Sequence, residues 1–104
     1  ANLQTLGYLA GRGARGELRD RDCWARVVRD ETVPIPRGAF LGEEAYLSLF
    51  ALGGTCIVTE TGVEYPLDRY PLSPFYPLGV SNHILNTAVI TAEGTLLVML
   101  CRSN

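Results

Sequence analysis

The chain has 104 residues, a formal net charge of −2, and nine arginines but no lysine. That is one domain, or one domain plus a fragment of another, and it can bury roughly 60–65% of its unfolded surface in a single core. The charge balance gives no reason to expect nucleic acid. The missing lysine excludes Schiff-base and phosphate-loop lysine chemistry, and no apolar run approaches the ~20 residues that would make a membrane span.

Leu3, Leu6 and Ala10 recur at helical spacing, with Leu9 beside them, Asn2 available as a cap, and Gly11 and Gly13 as a stop. So short an apolar helix needs something to pack on. It reads as the last helix of an upstream domain, with residues 1–16 as helix and linker and 17–104 as a β domain. Gly11-Arg12-Gly13-Ala14-Arg15-Gly16 follows that helix instead of opening one, which makes it a stop and linker and not a phosphate or dinucleotide loop. Six arginines lie between Arg12 and Arg29, but Glu17, Asp20 and Asp22 interleave with them, the pattern of a solvated face.

From Glu17 the period becomes two. Trp24, Arg26 and Val28 take one side of a strand, and Cys23, Ala25 and Val27 the other. Further β-rich runs follow at Ala45–Ala51, Thr55–Glu60, Gly62–Leu67, Asn86–Ala92 and Thr95–Cys101. Gly53-Gly54, the prolines from Pro66 to Pro77, and Glu93-Gly94 separate them, the last spaced to close a hairpin. Many short strands with such turn signals predict an all-β fold, an antiparallel sandwich or barrel. The six prolines are expected at strand ends or in loops.

Cys23, Cys56 and Cys101 are odd in number, far apart and without a C-x-x-C pair. They read as reduced, mostly buried thiols of a cytoplasmic protein, with neither a disulfide framework nor a zinc site. His83, the only histidine, cannot by itself make a metal centre; it is either an exposed loop residue or the rim of a pocket. The carboxylates Glu43, Glu44, Glu60, Glu64 and Asp68 are scattered, with no acid/base pair or magnesium set among them. No metal ligand and no catalytic residue is expected in this chain.

Two segments hold the candidate binding residues. In Gly62-Val63-Glu64-Tyr65-Pro66-Leu67 the alternation puts Val63, Tyr65 and Leu67 on one strand face, where Tyr65 is either core or a platform for a flat ring. In Gly79-Val80-Ser81-Asn82 a glycine permits close approach, and Ser81 and Asn82 set a hydroxyl beside an amide. These either cap a local turn or read the edge of a polar heterocycle.

Taken in order, Ser48-Leu49, Leu52-Gly53, Val58-Thr59, Gly62 to Asp68, Leu72, Leu78 to Asn82 and Glu93 to Val98 resemble the thiamin-binding domain of thiamin pyrophosphokinase, over residues 46–98. Residues 17–36 resemble the strands leading into that domain, and Ala1-Asn2-Leu3 the end of the family's catalytic domain. The resemblance implies a jelly-roll-like antiparallel β-sandwich preceded by one short helix left from an α/β catalytic domain. It implies an enzyme that moves pyrophosphate from ATP to thiamin, with magnesium and ATP held by the absent domain, so that this fragment alone is inactive. It also implies thiamin as the partner and a homodimer, with no nucleic acid and no membrane. Carried over by position, Ser81 and Asn82 would contact the thiamin pyrimidine region and Tyr65 would stack on a ring. His83 stands where the family has glutamate, Ala51 where it commonly has proline, and Phe75 where it commonly has glycine. The competing reading is a non-catalytic β-sandwich that binds a ligand or partner.

Overall fold

The computed structural model describes residues 17–40, 45–75 and 78–102, apart from the side chains of residues 78–81. The expected N-terminal helix and linker, and Glu43 and Glu44, lie outside the described residues. Among the described residues there are eight strands: β1 (Glu17–Arg19), β2 (Cys23–Arg29), β3 (Thr32–Pro36), β4 (Ala45–Ala51), β5 (Cys56–Val63), β6 (Leu67–Leu72), β7 (Leu78–Glu93) and β8 (Thr95–Arg102). All pairings are antiparallel, so the expectation of an antiparallel all-β fold holds.

The strands form two layers joined by one long strand. The first layer runs β1-β2-β8-β4 and ends on the start of β7; the second places β7 between β3 and β5, with β6 outside β5. β7 therefore begins in one layer, at Leu47↔Asn82, and finishes in the other, at Thr32↔Thr91 and Ile57↔Glu93. Period-two patterning fills the space between the layers. Trp24, Val28, Leu47, Leu49, Leu96, Val98 and Leu100 from the first layer meet Val33, Ile35, Cys56, Val58, Leu72, Ala88 and Ile90 from the second. Each buried Val, Leu or Ile among them contributes about 1.5–3 kcal/mol relative to exposure. The opposite face of β2 and β8 carries a second buried cluster of Ala25, Val27, Leu97 and Met99.

Five expectations need correction. Glu93-Gly94 closes no hairpin, because β7 ends beside β5 while β8 starts between β2 and β4; Gly94, at φ 119°, carries the chain across the sandwich. Its N–H donates to Asp30 Oδ1 at 2.7 Å, and its carbonyl accepts from the Asp30 N–H at 3.1 Å. The thiols of Cys23 and Cys101 are not free but joined in a disulfide. These residues are 78 apart in sequence, yet the β2–β8 register sets them opposite each other with Cα atoms 4.2 Å apart, which spacing along the chain does not reveal. Cys56 is free and buried, and its burial pushes the thiol pKa up. Gly62 to Leu67 is not one strand but turns a corner at residues 64–66, since β5 ends at Val63 and β6 begins at Leu67. Finally, Gly79 to Asn82 lies within β7 and not in a loop, and Pro34 and Pro71 lie inside β3 and β6, edge strands with one neighbour each.

Candidate binding corner between β5 and β6

The corner starts with a glycine that the backbone requires. Gly62 has φ 75°, and a Cβ there would overlap the Thr87 carbonyl oxygen. The close approach marks the point where β7 changes layers: Thr61 pairs with Val89, but Val63 pairs with Ile84. One further ladder bond follows, from the Glu64 N–H to the His83 carbonyl at 2.9 Å.

Beyond it a side chain takes over the role of a strand. The Tyr65 N–H donates to Asn82 Oδ1 at 3.1 Å, and Asn82 Nδ2 donates to the Tyr65 carbonyl at 3.1 Å. A carboxamide thus pairs both polar groups of the Tyr65 backbone, as a neighbouring strand would. Asn82 sits on β7 opposite Leu47 and is buried, as inward-facing positions of that strand are. Its second N–H donates to Glu60 Oε1 at 3.1 Å, so both amide N–H groups and the amide oxygen are engaged inside the protein.

Glu60 is the residue whose weight the sequence reading missed. It is fully buried, on the same face of β5 as Cys56 and Val58. The alternation Cys56, Val58, Glu60 carries the signal, because period two directs the carboxyl inward with two core residues. Burial pushes its pKa up to about 7 from the ordinary 4.5, while the Asn82 hydrogen bond pulls the other way. Its second oxygen, Oε2, has no hydrogen-bond partner.

The three expected site residues meet here unequally. The Tyr65 side chain is not core: it is 66% exposed, held by its main chain with its ring free. The Glu64 carboxylate, hydrogen-bonded to the phenol and adding its charge, raises the Tyr65 pKa. Asn82 is interior and clamps Tyr65. Ser81 precedes Asn82 on β7, with its side chain outside the described set. His83 is exposed, its ring edge-on to Tyr46 at 4.6 Å between centroids. The corner offers an aromatic face beside a carboxylate, an arrangement suited to a flat cationic ring.

Fold and corner together define an antiparallel β-sandwich with an exposed aromatic at the turn between β5 and β6. The family model described as thiamin pyrophosphokinase, vitamin B1 binding domain, matches residues 32–97. The chain belongs to that family. Among solved structures, thiamine pyrophosphokinase from Bacillus subtilis superposes with a TM-score of 0.77 at 18% identity, over 99% of this chain and 48% of that one. The Geobacillus thermodenitrificans enzyme gives 0.76 at 21%, over 97% and 47%. The Candida albicans enzyme gives 0.77 at 11%, over 97% and 39%. The chain thus spans half or less of each of these proteins. No curated protein sequence matches it.

Proposed function

We propose that this chain is the thiamin-binding part of a thiamin pyrophosphokinase, and that thiamin docks at the β5–β6 corner. The observation that carries this reading is the exposed Tyr65 ring, fixed through its backbone and flanked by Glu64. Thiamin presents a cationic thiazolium and a hydrogen-bonding pyrimidine. A ring over Tyr65 gains a cation–π contribution of roughly 1–2 kcal/mol if desolvated. Ser81 supplies a hydroxyl to the pyrimidine region, and Asn82 takes part in binding through its hold on Tyr65.

In the full-length enzyme, pyrophosphate passes from ATP to the thiamin hydroxyl, a transfer governed by positioning and charge neutralisation. Magnesium and ATP belong to a catalytic domain outside these residues. Among the described residues no three of His, Cys, Asp and Glu come together as a metal set. The enzyme is a homodimer in this reading.

Titration calorimetry of full-length protein with thiamin tests the site. Tyr65→Ala combined with Ser81→Ala should weaken binding by about tenfold or more, as the loss of hydrogen bonds and stacking to a bound ligand implies. Wild-type affinity in that variant would remove the corner from consideration. The 104-residue chain alone should form no thiamin diphosphate from ATP and thiamin.

A further inference from the structure

A fully buried glutamate inside an apolar sandwich needs a reason, because a hydrophobic residue of similar volume usually serves stability as well or better. Glu60 forms no salt bridge among the described residues, and Oε2 is unpaired, so ion pairing is not the reason. Its one hydrogen-bond partner among the described residues is Asn82.

That partner needs it. The Asn82 amide serves Tyr65 in one orientation only: Oδ1 must face the Tyr65 N–H, and Nδ2 the Tyr65 carbonyl. Turned over, the amide would set donor against donor and acceptor against acceptor. The second N–H on Nδ2 lies in the interior and requires an acceptor, which Glu60 Oε1 provides. An acceptor at that point selects the productive orientation and rejects the other.

We propose that Glu60 is a positioning residue for ligand binding: its carboxyl oxygen fixes the Asn82 amide, the amide clamps the Tyr65 main chain, and the clamp sets the pose of the ring that receives the ligand. This rests on the reading of Tyr65 as the ligand platform. Glu60 itself is sealed from solvent and acts through Asn82.

The proposal separates affinity from stability, which a packing role would not. Glu60→Leu removes a buried acid that the fold does not need and an acceptor that the corner does. Glu60→Gln keeps a carbonyl acceptor for Asn82. Full-length protein is titrated with thiamin at pH 8, and melting is followed in the same buffer. Glu60→Leu should bind about tenfold more weakly while melting at or above the wild-type temperature. Glu60→Gln should recover affinity to within about threefold of wild type, because its carbonyl accepts the same bond. Wild-type affinity in Glu60→Leu would overturn the proposal, as would an equal loss of affinity and melting temperature in both variants. Should Glu60→Leu not fold, Glu60→Met is read in the same way; failure of both to fold would make Glu60 a structural residue and also end the proposal. Tyr65→Ala in the same titration separates the two readings. If it binds as wild type, the platform itself is refuted; if it binds weakly and Glu60→Leu does not, only the role of Glu60 is.

Discussion

The β2–β8–β4 side and the β5–β6 corner enclose the same core by different means. On the first, β8 pairs with β2 and with β4 in seven consecutive register pairs each, without a shift. Around the corner the register breaks at Val58/Glu60, at Thr61/Val63 and at Leu47/Leu49. Regular strands satisfy their own backbone and leave side chains free to be apolar. Where the ladder fails, a side chain must satisfy the backbone, and a buried polar group follows. The irregular region is also where a large aromatic stands exposed, so the break in the ladder frees surface for binding while Asn82 and Glu60 keep it ordered.

The largest effect is expected on the regular side. The Cys23–Cys101 disulfide closes a loop of 78 residues, and the chain-entropy account assigns such a loop about 4 kcal/mol. Cys23→Ser with Cys101→Ser should lower unfolding free energy in urea by up to that amount. Thiamin affinity should be unchanged, because the bridge lies in the unbroken ladder. A weakening of affinity equal to the loss of stability would show that the two regions are not independent.

The second effect belongs to the corner and appears as pH dependence. The folded pKa of Glu60, about 7, lies above its ordinary 4.5, so between these values the folded protein holds a proton that the unfolded chain has released. The stability linked to that proton is present in full below pH 4.5, is lost as pH rises to about 7, and is constant above. Over this window the loss amounts to about 3 kcal/mol, at 1.4 kcal/mol per tenfold change in proton affinity. Glu60→Gln lacks the proton, so its stability relative to wild type should climb from pH 4.5 to 7 and then level off. Asp20, whose pKa is lowered by N–H bonds from Cys23 and Asp22, is common to both proteins and cancels in the difference. A flat difference would mean that Glu60 titrates normally.

The same contrast explains what was legible in the sequence. Leu47 and Leu49 announce strand and core by period two alone, because β4 keeps that period from end to end. Ala45–Ala51 is recovered with its bounds for this reason. The corner obeys no period. Tyr65 continues the alternation of Val63 and so reads as strand, but Gly62 has already changed the register and Asn82 has replaced the ladder. A side chain standing in for a strand leaves no trace in hydrophobic patterning. The disulfide and the crossing at Gly94 are hidden likewise, since both depend on which strands become neighbours. The residues of the corner were legible by type and order, but which of them faces solvent was not.

The smallest effect on stability, and the most local, is expected for Asn82→Ala. It removes both partners of the Tyr65 backbone and the only partner of Glu60 among the described residues. Water can reach the Tyr65 main chain at the exposed corner and replace its two bonds, and Glu60 avoids an unpaired buried charge by holding its proton. The net cost should therefore be about 1–2 kcal/mol, less than three lost hydrogen bonds to fully enclosed groups. Hydrogen exchange makes the outcome specific. The Tyr65 amide should exchange at least about tenfold faster in the variant, since its protection comes from one side-chain oxygen. The amides of Val98 and Leu100, deep in the β2–β8–β4 ladder, should change only by the global loss of stability. Uniform acceleration across both regions would mean that the corner opens only when the whole sandwich does, and that Asn82 has no local hold on Tyr65.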